Sequence, residues 1–195
     1  MVRENLLKSI GVLMALGLTT AAQAQVAIDN GIVGDGFWEV IVDSAGDSST
    51  GRIDPIGPEG PTDVIYQLSA YYDNDADGLD GSLQAGTTSP AALTNPGEVT
   101  SSGTFPGPNG TINWTAIATI EPGSPLYTVN YQFTSDQPFG ATRIINYFDE
   151  DVFGAGGDIV VVIGTPGQSD FQLLTVDSSV DVGVALAADY AGASN

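Results

Sequence analysis

From residue 25 onward the chain never sustains a helical pattern. Short runs of β-branched and aromatic residues are cut by Gly, Pro, Asn and Asp before an amphipathic helix could complete itself. Such a helix needs apolar residues at three- and four-residue spacing over about ten or more positions, and an interior Gly or Pro costs it about 1 or 3 kcal/mol. A strand needs only about four to eight residues. The punctuation therefore dictates an all-β chain, and turns about every 8–12 residues in its second half favour an antiparallel β-sandwich.

Taken in order, residues 26–33 read as a strand pair around Asn30-Gly31, a hairpin dipeptide, and residues 37–42 (FWEVIV) as the next strand. Residues 44–62, rich in Gly, Ser and Pro, read as a long surface loop. Residues 63–72 (DVIYQLSAYY) form a strand, and residues 84–98 a polar connector. Strands follow at 99–105, 111–120, 126–135 and 141–148, separated by PGPNG, EPGSP and DQPFG. Residues 159–163 (IVVVI) are continuously apolar, as in a central strand covered on both faces. Residues 171–176 and 180–188 bring the expected total to about nine or ten strands, and the tail 185–195 reads as a short helix or a frayed end.

Residues 1–24 have the form of a secretory signal peptide. Arg3 and Lys8 give a positive start, residues 10–18 an apolar run, and Ala22-Gln23-Ala24 a small-x-small cleavage site that leaves Gln25 as the mature start. The apolar run is too short for a hydrocarbon core of roughly 30 Å, which takes about 20 residues. One β-sandwich domain is expected over residues 25–195, with truncation at its C-terminus left open. Its location is then secreted, extracellular or cell-surface, with the periplasm as the other compartment.

Of the chain's 24 acids and four bases, cleavage removes Glu4, Arg3 and Lys8, leaving 23 acids against Arg52 and Arg143, a net of −21. A surface of that sign repels nucleic acid and anionic lipid, which are held by Lys/Arg clusters. It attracts cations and opposes aggregation; a saline habitat would select the same charge. Asp outnumbers Glu 18 to 6, a skew that suits turns and metal loops. The chain has no Cys and no His, which excludes zinc sites, disulfides, thiol nucleophiles and His-based triads.

The densest acid stretch is Tyr71-Tyr72-Asp73-Asn74-Asp75-Ala76-Asp77-Gly78-Leu79-Asp80-Gly81, with four carboxylates and an Asn amide within eight residues. Asp73, Asp75, Asp77 and Gly78 match the first half of a D-x-[DN]-x-[DN]-G calcium loop; Gln84 then stands where an EF-hand places its bidentate Glu. The stretch resembles the EF-hand-like Asp-rich loops of extracellular β-proteins. That resemblance implies side-chain ligands from Asp73, Asp75 and Asp77, a backbone carbonyl near Leu79, and Asp80 closing the shell around Ca²⁺. A solvated acidic turn is the plainer alternative.

A second, weaker cluster is Asp149, Asp151 and Asp158, with Glu150 on the opposite strand face. Arg143 is expected to pair with one of these acids. The run Arg143-Ile144-Ile145-Asn146-Tyr147-Phe148-Asp149-Glu150-Asp151-Val152-Phe153-Gly154, followed by Gly157-Asp158, resembles uncharacterised bacterial secreted and cell-surface β-sandwich proteins, some bearing sorting tails. The resemblance spans residues 125–195 and implies export, with no activity attached.

Glycoside hydrolysis needs two carboxylates about 5–10 Å apart, and acids abound here. The chain carries no G-x-S-x-G, no phosphate-cradling loop, and no His or mature Lys to serve as a base. The expected role is that of a structural or interaction protein stabilised by calcium, whose partners are other exported or surface proteins, or glycans. A carbohydrate-binding module is the alternative, with Trp38, Trp114, Tyr71, Tyr72, Tyr127, Tyr131 and Tyr147 as candidate aromatics. Trp38 and Trp114 are expected in the core, because aromatics at alternate strand positions fill the space between sheets. A glycoside-active enzyme ranks below both.

Overall fold

The computed structural model describes residues 24–54, 60–75, 77–150, 158–163, 172–177 and 182–187. All but the last residue of the expected signal segment therefore lies outside the described residues, as does most of the tail after residue 187. The fold is all-β and antiparallel. The strands are β1 (Val26–Asp29), β2 (Trp38–Val42), β3 (Ser48–Ile53), β4 (Thr62–Asp73), β5 (Gly81–Ser82), β6 (Thr87–Asn95), β7 (Glu98–Gly107), β8 (Gly110–Ile120), β9 (Tyr127–Thr134), β10 (Arg143–Glu150), β11 (Asp158–Ile163), β12 (Gln172–Asp177) and β13 (Val182–Ala187). One sheet runs β1-β2-β3-β4-β10 with β5 beside β4, a second runs β6-β7-β8-β9, and a third β11-β12-β13. No helix among the described residues is long and apolar enough to cross a membrane.

Period-two burial produces the sandwich. Along β7 and β8 every second residue is buried, and β2 buries Trp38, Val40 and Val42. Ile28, Trp38, Val40, Val42, Val64 and Ile65 of the first sheet meet Ala91, Val99, Ala118 and Ile120 of the second. A second cluster joins Ala70 and Tyr72 to Phe105, Ile112, Trp114 and Ala116, and Tyr72 stacks on Phe105 with centroids 4.4 Å apart. Each fully buried Val, Leu, Ile or Phe contributes about 1.5–3 kcal/mol. Both tryptophans are in this core, at 6% and 1% exposure.

Several stretches depart from the sequence reading. The 26–33 pair is one strand, β1, because Asn30 is buried and its amide closes a wider loop. Its Oδ1 accepts from Ile32 N and Trp38 N at 3.2 Å each, and its Nδ2 donates to Gly36 O at 2.8 Å. The 44–62 stretch contains β3, paired on both sides. Its SSTGRI sequence lacks apolar alternation, and Gly51 is there because a Cβ would meet Ile65 Cδ1 at 2.6 Å. The 84–98 connector contains β6, an edge strand whose irregular register accommodates Pro90. In the third sheet the middle strand is β12, not residues 159–163, since consecutive hairpins leave the first strand at the end of the order.

Candidate metal centre

β4 ends on Asp73, whose register partner on β10 is Arg143. Arg143 Nη2 donates to Asp73 Oδ2, so this 1%-exposed carboxylate has a cation against it. Arg143, expected beside the acids at 149–151, pairs across the strands with Asp73; Asp151 and the Glu150 side chain lie outside the described residues. Beyond Asp73 the backbone folds over its own side chains. Asp75 N donates to Asp73 Oδ1 at 3.2 Å, Asp77 N to Asp75 Oδ1 at 3.4 Å, and Asn74 N to Asp80 Oδ2 at 2.8 Å. Asp80 N returns to Tyr72 O at 3.0 Å. These are the local bonds that make Asp and Asn turn formers. Asn74 anchors the loop outward, donating to Pro106 O at 3.0 Å and accepting from Thr142 Oγ1 at 3.2 Å.

The loop brings together one carboxylate oxygen from each of Asp73, Asp75 and Asp77, all within 4.8 Å of one another. Oxygens bound to one ion at 2.3–2.6 Å lie no more than about 5 Å apart, so the three fit the first shell of a single metal ion and can hold one. Asp75 and Asp77 are exposed. The hydrogen bond and negative charge of Asp75 hold the Asp77 carboxyl above its ordinary value, with Asp80 and Asp73 adding to the effect. Asp80 is drawn to Asn74 N, and Leu79 is exposed in the same loop.

In the second cluster, Asp149 stands on β10 where the register with β4 shifts, and Tyr147 Oη donates to its Oδ2 at 3.3 Å. Asp151 lies outside the described residues. Asp158 is the first residue of β11.

A second acidic feature escaped the sequence reading. Asp43 and Asp47 flank the β2–β3 turn and are 9% and 3% exposed. With Ser48, Tyr66, Gln67, Leu68, Ser69 and Gln84 they line a cleft of about 400 Å³. The available signal was Asp-Ser-Ala-Gly-Asp directly after the alternating WEVIV, where Ala45 and Gly46, with φ of 65° and 71°, make a tight hairpin turn.

Fold and loop together define an antiparallel β-sandwich carrying a carboxylate cluster that could hold a metal ion. Compared with known proteins, the chain matches no family model, no curated protein and no solved structure.

Proposed function

We propose that the chain is an exported structural or interaction module whose β4-exit loop captures calcium. The observation that carries this reading is the convergence of the Asp73, Asp75 and Asp77 oxygens within 4.8 Å. Carboxylate donors without nitrogen or sulfur favour a hard cation, and calcium completes six to eight oxygens with carbonyls and waters from a flexible loop. A divalent ion would do for Asp75 and Asp77 what Arg143 does for Asp73. The signal-like residues 1–24 and the acid excess support export. The bacterial, surface-associated origin suggested by residues 143–158 belongs to the same proposal. Partners are other exported or surface proteins. The glycan alternative has to rely on exposed tyrosines such as Tyr66 and Tyr147, because Trp38 and Trp114 are in the core.

Thermal unfolding in chelator and in millimolar Ca²⁺ tests the site. Extracellular calcium modules bind at about 10⁻⁴–10⁻³ M; tenfold saturation at the tighter end adds about 1.4 kcal/mol, or roughly 3–5 °C in a domain of this size. The joint substitution Asp75→Ala, Asp77→Ala should abolish the increment. In the wild type the response should grow with rising pH, since metal and proton compete for Asp77, whose carboxyl is raised. Superimposable melting curves with and without Ca²⁺ would remove the metal from the reading.

A further inference from the structure

The β2–β3 turn is wedged against both sheets rather than projecting into solvent, and all of residues 43–48 are buried. Ala45 N donates to Ser101 Oγ of β7 at 2.9 Å. Tyr127 and Tyr131 of β9 donate their hydroxyls to Gly46 O and Ala45 O at 2.7 and 2.9 Å. Ala70 N of β4 donates to Asp47 Oδ1 at 2.9 Å. Ala45 itself holds a left-handed φ of 65°, a conformation that costs a residue with a Cβ and persists where surrounding contacts over-determine it.

We propose that this turn is a pH-responsive clamp between the sheets, closed while Asp47 is neutral and loosened when Asp47 ionises. The geometry leaves the ionised form poorly served. The carboxylate is 3% exposed, and Asp43 lies beside it on the same turn. From β9 it is faced by Tyr127 and Tyr131, and from β4 by Tyr66 at the cleft rim. The remaining acids of β4 are engaged elsewhere, Asp63 with Arg52 and Asp73 with Arg143. Tyr72 stacks on Phe105, and Tyr71 alternates to the other face. β6 and β8 carry no titratable side chain, and Glu98 of β7 is bonded to Thr94 and Asn95. The two arginines among the described residues are thus both committed to other acids.

Burial pushes the Asp47 carboxyl up to about 7, the Ala70 N–H opposing and the Asp43 charge assisting. Burial also raises Asp43, with Gln25 opposing. Burial and the neighbouring groups push both phenols up, so Tyr127 and Tyr131 stay protonated donors. A carboxyl raised in the folded state binds its proton more tightly there than in the unfolded chain. Its stabilising contribution is therefore complete below about pH 4 and is lost as pH climbs through about 7.

The test is thermal unfolding of the full chain from pH 5.5 to 8.5, in chelator to exclude bound metal and in 0.5 M salt, which screens surface repulsion to within a few ångströms. The wild type should lose on the order of 5–10 °C across that window, most of it below about pH 7 with a levelling above, and Asp47→Asn should be flat. A wild type without that descent, or an Asp47→Asn protein that retains it, overturns the clamp. If the variant does not fold, carboxyl NMR of the labelled wild type decides. Titration of Asp47 near pH 7, with the Ala45 and Ala70 amides moving at the same midpoint, supports the proposal, and titration in the ordinary range near pH 4 overturns it.

Discussion

Asp73 and Asp47 are both almost sealed from solvent, and the molecule treats their charge in opposite ways. At the end of β4 the strand register sets Arg143 directly against Asp73. At the β2–β3 turn, among the described residues, only neutral donors and another acid surround Asp47, and its carboxyl is pushed up to about 7. Isolated buried carboxylates are costly unless a cation or a proton neutralises them. With Arg52 and Arg143 the only bases after residue 25, this chain has few side chains for the first solution. The exposed pair Asp75 and Asp77 stands between the two cases, having solvent and neighbouring acids but no base, and is accordingly the place where an added cation has most to neutralise.

The largest effect is expected at the β2–β3 turn. Gly46→Ala would set a Cβ 2.5 Å from Val129 Cγ1 at a backbone φ of +71°. Overpacking and left-handed strain together should cost about 2–4 kcal/mol in urea unfolding. A loss under about 0.5 kcal/mol, the size of an ordinary surface change, would mean that the turn is not held between β4 and β9 as described.

A smaller effect is expected at the other end. Arg143→Met keeps the aliphatic stem and removes the charge facing Asp73. Because the arginine side chain is 55% exposed, the expected loss is about 1–3 kcal/mol rather than that of a fully buried pair. Calcium should then raise the variant's melting temperature by more than it raises the wild type's, since the ion takes over Asp73. Equal responses would show that Arg143 and the metal act independently. The smallest effect sharpens the contrast. In chelator, Asp75→Ala should change stability by no more than about 0.5 kcal/mol, in the stabilising direction, because it relieves exposed like-charge repulsion. NMR titration should find Asp77 closer to its ordinary value in that variant.

The fold class was legible because residues 99–120 alternate cleanly and Pro/Gly pairs mark the turns. β3 was not, because SSTGRI packs through a missing Cβ at Gly51 rather than through apolar side chains. Nor was β6, whose bulged edge pairing tolerates Pro90. Sheet membership was also hidden. β9 and β10 are consecutive, yet β9 closes the second sheet while β10 joins β4 in the first, and nothing local to 127–150 records that crossing. At the β4-exit loop, the convergence of Asp73, Asp75 and Asp77 was readable from their spacing. The pairing of Asp73 with Arg143 was not, because the two lie 70 residues apart in sequence. Asp43 and Asp47 were missed for a different reason: in a sequence, a buried turn acid is indistinguishable from a solvated one.

The tyrosine and serine contacts of the β2–β3 turn bear on how the chain assembles. Residues 45 and 46 come early, yet the groups that secure them are 56, 81 and 86 positions further on. Closing loops of that length costs chain entropy before any contact offsets it, and folds rich in distant pairings form slowly. The hairpin can form locally at once, but its tip has nothing to lock into until Tyr127 and Tyr131 arrive on β9. Docking of that tip is therefore expected only after β9 is in place.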